Sequence, residues 1–121
     1  MAIRAKTITP IKTFGDNAWV VRWEGLQQAT SDTGDPFEGV GAADRSAQVF
    51  GTFGAGGTLR LEGSNDNQNW SVLTDPQGNA LDFTTAKIEA VTEVTRYVRP
   101  SITGGDGTTD LTLVLLARRP N

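Results

Sequence analysis

Oxygen-bearing side chains cluster twice in this chain. Ser64-Asn65-Asp66-Asn67-Gln68-Asn69 is an unbroken polar run, and Asp32 and Asp35 flank Gly34. Carboxylate and amide oxygens at such spacing suit a hard cation such as calcium. The first run, however, has a single carboxylate and lacks the bidentate glutamate that closes an EF-hand loop. The alternative is a turn in which Ser, Asn and Asp side chains bond their own backbone. The Asp32/Asp35 pair has the same two readings. No metal or cofactor is called from either.

Other chemistry is limited by residue types that are missing. The 121 residues include no histidine and no cysteine, which removes Ser-His-Asp and Cys-His catalysis, thiolate or histidine zinc sites and disulfides. Gly51-Thr52-Phe53-Gly54-Ala55-Gly56-Gly57 is glycine-rich, but no Lys-Ser/Thr follows and it leads into an alternating strand pattern, so it is not a phosphate cradle. On these grounds the chain is expected not to be an enzyme. A net charge of −3 argues against nucleic acid as a partner. No run approaches the ~20 apolar residues of a membrane span, and the N-terminus lacks the apolar region of a secretory signal. The expectation is therefore a protein made in the cytoplasm, with no membrane partner.

The elements that position these loops read as strands. Ser46 to Asp75 organises the chain. Leu59 and Leu61 alternate with Thr58, Arg60 and Glu62, and glycine- or asparagine-rich turns lie on either side. Upstream, Trp19, Val21 and Trp23 share one face of a strand over Ala18 to Leu26. Downstream, Leu111, Leu113 and Leu115 share one face of a last strand whose other face is also partly apolar. That pattern predicts a strand that is central or covered on both sides. Pro100 places the strand through Tyr97 to Thr103 at an edge or a bulge. Gly104-Gly105-Asp106-Gly107 is expected to be a hairpin turn, and Asp75-Pro76-Gln77-Gly78-Asn79 a turn before a short strand through Leu81 and Phe83. Thr84 to Thr95 fits helical and alternating spacing alike, and its Thr and Val content favours strand or loop. Gln27 to Arg45 lacks periodicity and is expected to be a binding loop or partly disordered, with Phe37 and Val40 pinning it and a short strand around Glu38 to Ala42.

The fold expected from this is all-β: a single antiparallel β-sandwich or jelly-roll-like domain of about eight short strands over residues 17–119. An N-terminal arm or edge strand over residues 1–16 precedes it. The first dozen residues carry Arg4, Lys6 and Lys12, and Arg118 and Arg119 close the chain. The ends together hold +5 against −8 for the body, which has six basic and fourteen acidic residues (6 − 14). Basic ends on an acidic body suit docking on another surface, or are ordinary solubilising charge.

Several short blocks carry a resemblance: Gly51-Thr52-Phe53-Gly54; Leu61 to Asp66 with Trp70; Asp75 to Ala80; and Tyr97-Val98-Arg99-Pro100 followed by Gly104 to Gly107. In these the chain, from about Trp23 to Arg119, resembles the head decoration (cement) proteins of tailed bacteriophages. The resemblance implies a structural virion protein on the outer capsid surface. Its partners would be the major capsid protein and further copies of itself, as a homotrimer or dimer. Contact residues expected on this reading are Ile3, Arg4, Lys6, Ile8 and Lys12 in the arm and Asp32, Asp35, Pro36 and Phe37 in the long loop. Two alternatives stay open: a minor tail or neck protein, and a carbohydrate-binding module. The second rests on Gly63 to Asp66 with Trp70, which is similar to the strand-loop-Trp element of discoidin-type sandwiches.

Overall fold

The computed structural model describes residues 2–12 and 17–119. It is an all-β sandwich with twelve strands among these residues: β1 (Ile3–Arg4), β2 (Lys6–Pro10), β3 (Ala18–Gln27), β4 (Thr33–Gly34), β5 (Phe37–Glu38), β6 (Asp44–Thr52), β7 (Thr58–Ser64), β8 (Ser71–Val72), β9 (Asp82–Phe83), β10 (Lys87–Val91), β11 (Tyr97–Gly104) and β12 (Asp110–Arg118). Five of these, β1, β4, β5, β8 and β9, are only two residues long, which is why periodicity alone suggests fewer strands. Sheet A runs β1-β4-β11-β7-β8, with β5 also on β11 and β9 also on β7. Sheet B runs β10-β6-β12-β3-β2.

The core lies between the sheets and follows the alternation. Leu111, Leu113 and Leu115 of β12 and Leu59 and Leu61 of β7 are fully buried, as are Val21 and Trp23 of β3. Each buried leucine contributes roughly 2 kcal/mol by leaving water. In β3 the inward set shifts from Trp23 to Leu26 at Gly25, whose φ is +67°, and the pairing with β12 slips there. β12 is central, but its second face is open: Leu116 is 41% exposed.

Local turn chemistry misleads in two places. Gly54 to Gly57 and Gly104 to Thr109 both carry the chain from one sheet to the other, so neither closes a hairpin. The two crossings lie side by side. The Asp106 carboxylate accepts the Ala55 N–H at 2.8 Å, and Thr109 Oγ1 donates to the Phe53 carbonyl at 2.7 Å. The Ala55 N–H foremost, then the bonds from Thr108, hold the Asp106 carboxyl down to about 2. Gly54 has φ +67°, and a Cβ there would stand 2.3 Å from the Asp106 carboxylate, so its glycine is required twice over.

Pro100 is not at an edge. β11 sits between β7 on one side and β4 with β5 on the other. The Ile102 N–H donates towards the β4 side, to the Asp32 carbonyl at 3.0 Å. N–H groups alternate along a strand, so the N–H that Pro100 lacks would point the same way, towards the break between β4 and β5, and no ladder bond is lost. Within Thr84 to Thr95, Lys87–Val91 forms the edge strand β10, which resolves the helix–strand ambiguity in favour of strand. Ile88 (60% exposed) and Ala90 face outward, while Val91 closes on the core.

The segment from Gln27 to Arg45 is ordered rather than a free loop, because β4 and β5 build it into sheet A. The strand is at Phe37–Glu38, and Phe37 is buried while Val40 is 59% exposed. The turn at 39–42 is fixed by Arg45. This buried guanidinium donates to the Ala42 carbonyl (2.8 Å), the Gly39 carbonyl (2.7 Å) and the Thr95 carbonyl (3.0 Å). Burial lowers its pKa. Arg45→Met takes that donor from all three carbonyls, of which Gly39 keeps only the Ala42 N–H, and is expected to cost about 3 kcal/mol. Urea unfolding checks this, and a loss below about 1 kcal/mol would mean that water replaces the guanidinium.

Candidate interaction surface

The N-terminal segment spans both sheets. β1 pairs parallel with β4 of sheet A, and β2 pairs antiparallel with β3 of sheet B. Backbone bonds reinforce the first contact: Thr33 N–H donates to the Ala2 carbonyl at 3.0 Å, and Asp35 N–H to the Arg4 carbonyl at 2.8 Å. The basic side chains turn back onto the long segment. Arg4 Nε meets Asp32 at 2.5 Å, and Lys6 Nζ meets Asp35 at 2.5 Å. Arg118 likewise pairs with Asp44. Much of the basic charge at the chain ends is thus matched within the chain.

The expected contact residues therefore divide. Asp32 is fully buried, and Phe37 nearly so. Both are corrected to structural roles: Phe37 packs in the core, and Asp32 organises the turn before β4. The Asp32 carboxylate accepts from Thr30 Oγ1 at 2.5 Å, from the Gln27 N–H at 3.0 Å and from Arg4. Burial raises its pKa, and the bonds from Thr30, Arg4 and Gln27 outweigh that, leaving it below the usual carboxylate range. Arg4 and Lys6 serve the same internal network. Ile3 (65% exposed) and Ile8 (45% exposed) face solvent, as does Lys12. Asp35 and Pro36 are half-buried.

Ile8 opens onto a cleft of about 550 Å³ lined by Ile8, Trp19, Phe37, Glu38, Gly39, Gly41, Ala42 and Arg119. Arg119 lies over the half-buried Trp19 ring at 5.3 Å. Exposed Val40 stands between two of the lining glycines. Sequence reasoning missed this cleft, because its parts come from β2, β3 and the 39–42 turn, far apart in the chain.

The polar loop after β7 uses its side chains on its own backbone. Ser64 Oγ accepts the Asn67 N–H at 3.0 Å, and Asp66 accepts the N–H groups of Gln68 (2.9 Å) and Asn69 (2.8 Å). Those bonds, led by the Asn69 N–H, hold the Asp66 carboxyl far below its ordinary range. No cluster of three or more acidic groups suited to a metal occurs among the described residues. Trp70, the residue behind the discoidin-like reading, has the Arg99 guanidinium 4.1 Å from its ring centre.

No protein-family model matches the sequence, and no curated protein does. Solved structures are similar in fold. The SPBc2 prophage-derived protein YomS aligns at 12% identity with a TM-score of 0.58, over 83% of this chain and 93% of that one. Recombinant oxalate oxidase aligns at 11% identity with a TM-score of 0.47, over 96% of this chain and 52% of that chain. KdgF from Halomonas sp. aligns at 9% identity with a TM-score of 0.40, over 96% of this chain and 79% of that chain. The chain thus shares its β fold with a prophage-derived protein, and it spans about half the length of the oxalate oxidase. The expectation that the chain is not an enzyme is withdrawn. The missing histidine and cysteine exclude only the mechanisms that need those residues.

Proposed function

We propose that this protein decorates a phage capsid, binding the outer surface and stabilising contacts between neighbouring capsomers. The observation that supports it is the fold held in common with a prophage-derived protein over 83% of this chain and 93% of that one. The sequence blocks that resemble decoration proteins point the same way. The surface assigned to capsid contact is the rim of the cleft beside β2, where Ile8 and Val40 expose apolar area next to Trp19. Cement that binds only the assembled shell stabilises it by mass action.

The purified protein is expected to co-sediment with expanded capsids in numbers that match the capsomers and to raise their resistance to heat. The double variant Ile8→Glu, Val40→Glu should keep its circular dichroism spectrum and lose binding by more than about tenfold, because charge replaces apolar contact at the rim. A handful of copies per particle would assign the chain to the tail or neck. No binding to capsids at all would sink the proposal.

A further inference from the structure

The two outer faces of the sandwich differ in kind. Sheet A's face is laced with charge across strands: Arg60 with Asp82 at 2.8 Å, Arg99 with Glu62 at 3.1 Å and Arg96 with Glu38 at 2.6 Å. Such a face is at home in water. On sheet B the register aligns Ile88, Gln48, Val114, Arg22 and Thr7 in one row, and Ala90, Ser46, Leu116, Val20 and Thr9 in the next. Phe50 and Thr112 pair in a further row towards one end. Within the two central rows Arg22 is the single charge, and it is paired with Glu24 at 2.9 Å and lies over the Phe50 ring. Arg118 and Asp44 pair at one end of the face, and Asp110 stands at the other. A groove of about 390 Å³ runs beside Leu116 and Ala90.

We propose that sheet B is the contact between two copies of this chain, packed face to face about a two-fold axis. Charge selects the occupant. The chain as a whole carries −3, yet the centre of this face is neutral, so two copies meet there without repulsion. An acidic or basic partner would find no unpaired charge in those rows to recognise. Area is sufficient. Five strands spaced ~4.8 Å apart and the rise of the nine-residue strands β6 and β12 give a footprint on the order of 600 Å². Two copies bury about twice that, above the ~1,000 Å² that a specific interface needs. Sheets stacked in this way interdigitate their side chains at a spacing of about 10 Å. The inference stands whether or not the chain binds capsids.

Sedimentation equilibrium of the full chain over the micromolar range tests it. The expected species is a dimer. Leu116→Lys brings like charges together at the centre of the contact and weakens the dimer by more than about a hundredfold. Ile88→Lys, on the edge strand where the fold tolerates it, does the same to a smaller degree and covers the case in which Leu116→Lys disturbs folding. Thr103→Lys, on sheet A, leaves the dimer intact. A wild-type monomer throughout the range, a trimer or larger ring, or a dimer indifferent to Leu116→Lys and Ile88→Lys would each overturn the inference.

Discussion

Replacing Trp23 with alanine is expected to cost the domain about 4 kcal/mol, the largest effect of any single substitution considered. The ring is fully buried and belongs to β3, but it reaches across to sheet A. Its indole N–H donates to the Asp35 carbonyl at 2.9 Å. Gly34 makes room for the ring: a Cβ at that position would lie 2.6 Å from Trp23 and 2.5 Å from the Pro100 ring. Trp23, Gly34 and Pro100 thus form one packed stack, and truncation to alanine leaves a cavity that the stiff proline cannot fill. Trp23→Phe keeps most of the volume and should lose only about half as much, the hydrogen bond and the remaining void. Equilibrium unfolding in urea separates the two variants. Equal losses would mean that the indole N–H, rather than ring volume, carries the effect.

The second large effect is expected at Asp32. Asp32→Asn keeps the shape but removes the charge facing Arg4 and sets an NH2 donor either against Thr30 Oγ1 or against the Gln27 N–H and Arg4, and should cost about 3 kcal/mol at neutral pH. The pH dependence has a definite sign. An unfolded aspartate titrates near ~3.9 and the folded one lies lower, so the unfolded state binds the proton more readily. The carboxylate's contribution is therefore complete above pH ~5 and is lost as pH falls through ~4 towards the folded value. In denaturant titrations from pH ~6 to ~3 the gap between wild type and Asp32→Asn should narrow. A constant gap would show that the charge on Asp32 is not what the turn depends on.

What the sequence made legible was what local alternation controls. Trp19 to Leu26, Leu59 with Leu61, and Leu111 to Leu115 carry their inward faces in their spacing, and the core follows. Thr84 to Thr95 was legible as a strand but not in orientation. β10 is an edge strand whose register sets Ile88 opposite outward-facing Gln48, and an edge imposes no local penalty for apolar residues facing out. Glycine turns at 54–57 and 104–107 have the same chemistry whether the next strand pairs beside the last or crosses to the opposite sheet. Asp32 to Phe37 looked like free loop because two-residue strands leave no periodic trace, and their partners are β11 and β1. Pro100 misled because its tolerance depends on a break in a neighbour some sixty residues away in the chain. The N-terminal segment is tied to the body at Arg4 and Lys6, whose charges close on Asp32 and Asp35.

The position of β12 sets an order of events for a newly made chain. β3 and β6 do not pair with each other in sheet B, because β12 lies between them and pairs with both. A nascent chain that has reached Thr109 therefore holds two long strands, each with an open edge and an unfinished apolar face. Such edges are prone to pair with whatever strand is nearest. Assembly of the sandwich waits for Asp110 to Arg118, and the closing step is the insertion of the last strand into the middle of its sheet. Loop-closure entropy over most of the chain must be overcome before that insertion is rewarded, which makes this a slow-folding domain for its size.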